Sequence, residues 1–256
     1  MDETWLEVAR TDDPSCWELP VGLGLTGGKG QLFGGCVVGA AGLLLESVTE
    51  RPVQWITCQF VAGAAEGDTV RLAADVVVRG HRISQAEVRG TVDGAPQSTV
   101  LAALGTRSYP EGSPTRTLPA VPPPDDCPPH TFEVSRGGLD ARVDVRVADP
   151  EPAARRATSR FWFRFHDTTA GDLASVAIAT DFVPLALSTA LGHRVFGASL
   201  DNTCRFVDRA GGEWLLVEMA VDGVVDGIAH CTAHAWADDG RLLAVATQTC
   251  TVAAFG

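Results

Sequence analysis

Three residues in the second half of this chain carry side chains suited to holding and polarising a water molecule: the carboxylate of Asp181, the hydroxyl of Ser199 and the carboxamide of Gln248. They stand out against the first half. At a constant offset of 146 positions, Asp181 falls on Gly35, Ser199 on Val53 and Gln248 on Ala102. Polar groups in an apolar interior cost free energy unless they are paired, so three such replacements together invite a functional reading. Each also has a plain structural reading. Asp181 opens an apolar segment with Phe182 and Pro184 in its first turn, and Asp is a favoured helix N-cap worth about 1 kcal/mol. Ser199 fits an ordinary strand-edge hydroxyl, and Gln248, between Thr247 and Thr249, fits a solvent-facing position in an alternating strand.

Other constellations lack the context that their chemistry needs. Gly22, Gly24 and Gly27 match a dinucleotide fingerprint in spacing, but no βαβ unit surrounds them and no helix opens at the third glycine. Gly28-Lys29 does not complete a phosphate loop, because Leu23 stands where its first glycine belongs and Gly30 follows the lysine. His230 and His234 would stand ~13 Å apart along a strand, too far for one ion, so no metal site is expected. Gly197-Ala198-Ser199-Leu200-Asp201 lacks the closing glycine of a nucleophile elbow and precedes a strand rather than a helix. No cofactor site emerges.

The elements that must position the three polar residues come in two similar sets. Thr57-Cys58-Gln59-Phe60-Val61 is matched by Thr203-Cys204-Arg205-Phe206-Val207, and the Asp93-Gly94 turn by Asp239-Gly240, both 146 positions on. With the apolar segment from Gly35 falling on that from Asp181, three anchors at one offset indicate a diverged internal duplication. Each set opens with an apolar segment of helical length, 34–46 and then 181–191. Alternating strands accompany it. Leu72, Ala74, Val76 and Val78 share one face; Ala86, Val88 and Val92 oppose Gln85, Glu87, Arg89 and Thr91. Val143, Val145 and Val147 alternate with charged residues, and Phe161, Phe163 and Phe165 alternate with Arg160, Trp162, Arg164 and His166. Period-two patterning means strands with one face on a core, and the Asp-Gly pairs read as hairpin turns. The fold class is α+β, with each helix packed on its own antiparallel sheet.

Proline-rich residues 110–130 divide the chain, because proline fixes φ and removes a backbone donor. The expected organisation is an N-terminal domain over 1–109, a linker over 110–130 and a C-terminal domain over 131–256. With 20 Lys+Arg against 32 Asp+Glu the net charge is -12, which argues against nucleic acid as a partner. No apolar run approaches the ~20 residues of a membrane span, and the start has no basic segment leading into an apolar one. A cytoplasmic protein is expected, its seven cysteines buried and reduced.

At the residues that carry these patterns, the sequence resembles the acyl-CoA thioesterase II (TesB-like) family of double-hotdog proteins. The likeness runs through Phe33-Gly34-Gly35, Arg51-Pro52, Gln59-Phe60, Glu66-Gly67 and Arg79 to Ala86 in the first half. In the second it runs through Thr180-Asp181-Phe182, Ala198 to Asp201, Glu213 to Leu216 and Asp239 to Ala244, leading to Gln248. The resemblance implies a double hotdog, two tandem repeats each with one long helix on an antiparallel sheet. It implies hydrolysis of an acyl-CoA thioester to free acid and CoA, and assembly into homo-oligomers through paired sheets. It gives Asp181, Ser199 and Gln248 the positions that activate the hydrolytic water, with Asp181 as general base and the other two orienting it. Direct attack by Asp181 through an anhydride stays open. The chain departs from the family at Asn202, where a histidine is common, at Cys204-Arg205-Phe206, and at Thr249-Cys250. A non-catalytic acyl-CoA binder on the same fold is the alternative; a hydratase is disfavoured because no histidine closely follows Asp181.

Overall fold

A computed structural model describes residues 5–108, 115–132, 137–149, 157–168, 171–209 and 211–254. Residues 110–114 of the expected linker lie outside them. The first half contains β1 (Ala9–Arg10), β2 (Cys16–Pro20), helix α1 (Gly34–Thr49), β3 (Val53–Phe60), β4 (Thr69–Arg79), β5 (Ile83–Val92) and β6 (Ala95–Gly105). The second contains β7 (Val143–Val147), β8 (Thr158–Phe165), helices α2 (Leu173–Thr180) and α3 (Val183–Leu191), β9 (Val195–Phe206), β10 (Leu215–Val225), β11 (Ile228–Ala237) and β12 (Leu242–Ala254).

All twelve strands form one antiparallel sheet in the order β1-β2-β4-β5-β6-β3-β9-β12-β11-β10-β8-β7. The order is palindromic: each strand left of centre has its counterpart six places later in the chain and equally far to the right. The centre is the β3–β9 ladder, where Thr57 pairs with Thr203 and their hydroxyls meet at 2.6 Å. These residues are 146 apart, the offset already seen in the sequence.

The helices lie against one sheet face, and the strand alternation decides which side chains meet them. Phe161, Phe163 and Phe165 join the large core with Val143 and Val145. Trp162 points the other way, into a second cluster with Trp214, Leu216 and Trp236. The Pro-rich segment covers that cluster rather than hanging free. Leu118 and Val121 pack on it, Trp162 Nε1 donates to the Pro122 carbonyl at 3.0 Å and Trp236 Nε1 to the Arg116 carbonyl at 3.1 Å. Two strand expectations need correction. Val78 is exposed, because a register shift between Asp75 and Val78 on β4 disrupts the alternation. Asp93-Gly94 is a two-residue hairpin turn with both φ positive, whereas Asp239-Gly240 lies in a longer loop closed by Gly240 N–H donating to the Ala237 carbonyl.

The second helix also differs from the expected 181–191 segment. It is a rod, Leu173–Leu191, broken at Asp181-Phe182. Asp172 caps its start by accepting from Ser175 N–H at 2.9 Å. Pro184 explains the break: it has no N–H for the Thr180 carbonyl, and its ring crowds that position. Asp181 therefore does not begin a helix; it ends one. By length and composition this 19-residue stretch passes for a membrane span, contrary to the expectation from the sequence, but 72% of it is buried inside the protein. Its α2 segment crosses α1 at very short range. A Cβ at Gly35 would stand 2.6 Å from Ile178 Cα, one at Gly39 2.9 Å from Ala174 Cβ, and one at Gly42 2.7 Å from Leu173 Cδ2. Glycine at these three positions lets the two backbones approach.

Candidate active site

The helix break delivers Asp181 to the N-terminal end of α1. One carboxylate oxygen, Oδ2, accepts from Gly35 N–H at 2.7 Å, so the aspartate caps the opposite helix rather than its own. Glycine at 34 and 35 is what admits it: a Cβ on Gly34 would lie 2.9 Å from that oxygen and 2.8 Å from the Phe60 ring. The other oxygen, Oδ1, faces the sheet. It accepts from Gln248 Nε2 at 2.6 Å, Asn202 Nδ2 at 3.1 Å and Ser199 Oγ at 3.5 Å. Gln248 Nε2 also meets Ser199 Oγ in a short hydrogen bond.

Backbone geometry on β9 makes this convergence possible. Gln248 pairs with Asn202, so both can face the helices. Ser199 is three residues from Asn202, and strict alternation would turn it to the opposite face. A bulge between Thr249 and Cys250 gives β9 an additional residue, Leu200, which restores Ser199 to the Gln248 side. A register shift at the equivalent place in β3 skips Gln54, 146 positions before Leu200.

Asp181 is 3% exposed, Gln248 4% and Asn202 1%. Burial pushes the Asp181 carboxyl up to about 7, against the opposing pull of hydrogen bonds from Gly35, Asn202, Gln248 and Ser199. A carboxyl poised there can accept and release a proton near neutral pH. The Gln248 carbonyl oxygen is buried with no hydrogen-bond partner among the described residues. An orphaned acceptor of this kind costs on the order of 1–3 kcal/mol until a donor reaches it. Asn202 is fixed from behind, where Cys204 Sγ approaches its Oδ1 at 3.4 Å.

Asp181 and Ser199 line a cavity of about 1020 Å³. Phe33, Phe60, Phe132, Phe161, Phe182 and Leu185 supply much of its apolar wall. Phe182 is the hub, with ring centroids 4.8 Å from Phe33, 5.3 Å from Phe163 and 6.1 Å from Phe132. The pairing is that of a largely apolar receptacle with a buried carboxyl in its wall.

All three residues singled out in the sequence thus meet in space, and the solvent-facing reading of Gln248 is excluded. Asn202 was seen in the sequence only as a departure from a family pattern; its direct bond to Asp181 was not. Gly35 was seen as the apolar counterpart of Asp181 and as part of Phe33-Gly34-Gly35, not as a donor to the carboxylate. His230 and His234 both sit on β11, paired opposite Thr249 and Val245. All seven cysteines are free and buried, and burial raises the Cys36, Cys58 and Cys204 thiols.

A buried carboxyl in the wall of an apolar cavity leaves the reaction class open, and comparison with known proteins supplies it. The family profile described as the acyl-CoA thioesterase C-terminal domain matches residues 124–252. A crystal structure assigned as a thioesterase from Novosphingobium aromaticivorans is 31% identical, covering 99% of this chain and 100% of that one, with a TM-score of 0.89. A hotdog-fold protein from Alicyclobacillus acidocaldarius is 21% identical with a TM-score of 0.83, and the acyl-CoA thioesterase II TesB2 of Mycobacterium marinum 21% with 0.75. In both, 96% of each chain is covered. No curated protein sequence matches this chain. The chain belongs to the acyl-CoA thioesterase family, has the hotdog fold and is a thioester hydrolase.

Proposed function

We propose that the protein is a double hotdog, with units over 1–109 and 131–256, that hydrolyses an acyl-CoA thioester to the free acid and CoA. Asp181 is the general base, and Ser199 and Gln248 orient the attacking water. The observation that carries this reading is the buried Asp181 carboxylate, held by Gly35, Asn202, Gln248 and Ser199 in the wall of the apolar cavity. The palindromic strand order supports the two-unit reading.

The water's oxygen attacks the thioester carbonyl carbon while Asp181 takes one of its protons. The unpaired Gln248 Oε1 accepts a hydrogen bond from the other O–H, which satisfies its buried acceptor. The positive N-terminal end of α1, which Gly34 brings to the cavity wall, stabilises charge developing on the carbonyl oxygen. Collapse of the tetrahedral species breaks the C–S bond, and the proton held by Asp181 leaves with the CoA sulfur. A thiolate departs readily, so no further catalyst is needed at that step.

The test is turnover of a panel of straight-chain, branched and aryl acyl-CoA esters by wild type and Asp181→Asn, with released CoA quantified by mass spectrometry. A drop of ~100-fold or more with the fold intact is expected. Wild-type protein that binds acyl-CoA but hydrolyses none of the panel would reduce the site to acyl-group binding and Asp181 to a structural cap.

A further inference from the structure

Lys29 is the only lysine in a chain with 20 cationic residues. It stands in a small glycine-rich hairpin: Thr26 bridges Leu32, Gly30 N–H donates to the Gly27 carbonyl at 2.8 Å, and Gly30 takes a positive φ of 71°. That turn lines the same cavity as Asp181, on its exposed rim. The Lys29 ammonium lies 4.0 Å from the centroid of Phe196, a residue of β9 in the other half of the sheet. The contact draws the cation across the mouth and limits its wandering.

Lys29 also differs from the arginines in its partners. Arg160, Arg164, Arg209 and Arg241 are each within salt-bridge distance of a carboxylate. Lys29 has no carboxylate within that distance among the described residues. The exposed cavity-lining stretches Val61–Gly63 and Gly192–Phe196 bring His193 and Arg194 to the rim and contain no acidic residue; of the half-buried acidic lining residues Asp140 and Asp149, the latter pairs with Arg160 at 3.4 Å. In a chain of net charge -12, a cationic mouth is a local reversal of the overall field. A ligand with its reacting group at Asp181 and its remainder leaving by this opening would meet positive charge there.

We propose that Lys29, with Arg194 on the same rim, anchors the phosphate groups of the CoA tail and so sets selectivity for CoA esters over thioesters without phosphate. The inference rests on the acyl-CoA reading above. An ammonium suits the task as a compact point charge on a flexible stem that can follow a phosphate.

Calorimetric titration of CoA into wild type, Lys29→Met and Arg89→Met tests it, because Arg89 is exposed, does not line the cavity and its replacement removes the same unit of charge. Lys29→Met is expected to weaken CoA binding by ~10-fold and to flatten its salt dependence, with Arg89→Met matching wild type. The same variant should raise KM for an acyl-CoA but not for the corresponding acyl-pantetheine. A penalty that vanishes with 3′-dephospho-CoA places the contact at the 3′-phosphate; one that persists places it at the pyrophosphate. Equal CoA affinity in Lys29→Met and wild type, no CoA binding by wild type, or an equal loss with Arg89→Met overturns the proposal. CoA binding that depends on Lys29 in a protein that turns over no thioester would overturn the hydrolytic reading and leave this one standing.

Discussion

In the proposed mechanism Asp181 ties catalysis and stability to the same proton. Its carboxyl is pushed up to about 7 chiefly by burial. As a base it must be ionised, so kcat/KM should climb with unit slope on the acid side and level off above a midpoint of about 7. Stability runs the opposite way. A group whose folded value lies above its ordinary 3.8 favours the fold while protonated, and that contribution is lost as pH rises through the folded value. Between pH 4 and pH 8 wild type should therefore lose more thermal stability than Asp181→Asn, whose side chain cannot ionise. Parallel melting curves for the two proteins over that range would show that Asp181 is not held at a raised value. At this scale the sequence was informative about residue type: a carboxylate, a hydroxyl and an amide replacing Gly35, Val53 and Ala102. It did not reveal the bond from Asn202, because an asparagine in an alternating strand looks the same whether or not it reaches a carboxylate 21 positions away.

Elements decide whether those side chains can meet. The period-two patterns of β7 and β8, and of β5 as far as Gly90, were readable because the strands alternate there against the core. The Leu200 bulge was not, since nothing in Ala198-Ser199-Leu200-Asp201 marks where a strand skips a pairing. The α2 segment has a helix-start signal in Asp172 before Leu173, but Pro184 interrupts the pattern that would join it to the apolar run after Asp181. The close crossing of α1 and α2 gives this scale its sharpest test. Gly35→Ala places a methyl 2.6 Å from the Ile178 backbone and 2.9 Å from the Ala177 carbonyl, atoms that cannot turn aside. The helices must separate, at a cost of about 1–3 kcal/mol. Because Gly35 N–H also holds Asp181, activity should fall by more than the loss of folded protein accounts for. A Gly35→Ala enzyme with wild-type melting temperature and turnover would mean that the two helices do not pack this tightly in solution.

The whole molecule is less symmetric than its strand order. On the outer sheet face of the second half, residues 115–123 shelter Trp162, Trp214 and Trp236 through Leu118, Val121 and two indole-to-carbonyl hydrogen bonds. Replacing Leu118 and Val121 together with serine should uncover that cluster. Losing two apolar side chains from partly buried sites should cost about 1–3 kcal/mol and shift tryptophan emission to the red. At about 2–4 °C per kcal/mol, the melting temperature should drop by several degrees. Unchanged emission and melting would mean that the segment contributes nothing to the fold. Sequence reasoning placed a division here because prolines interrupt all periodicity, which is correct as far as local conformation goes. Proline content does not report whether an extended segment floats or adheres; that depends on Trp162 and Trp236, which lie more than 35 positions beyond it in the chain.

Gly35 and Asp181 touch across the same 146-residue separation that joins Thr57 to Thr203 at the middle of the sheet. In a pair of identical subunits assembled this way, a position so placed would meet its own copy. Two aspartates would then press like charges together, and only one could ionise; two glycines would leave no base. A single polypeptide that holds both copies escapes this constraint, because the amide of one can serve the carboxylate of the other. The cost of that freedom is stoichiometric: the counterpart positions Gly35, Val53 and Ala102 carry no polar side chain, so the chain holds one such centre.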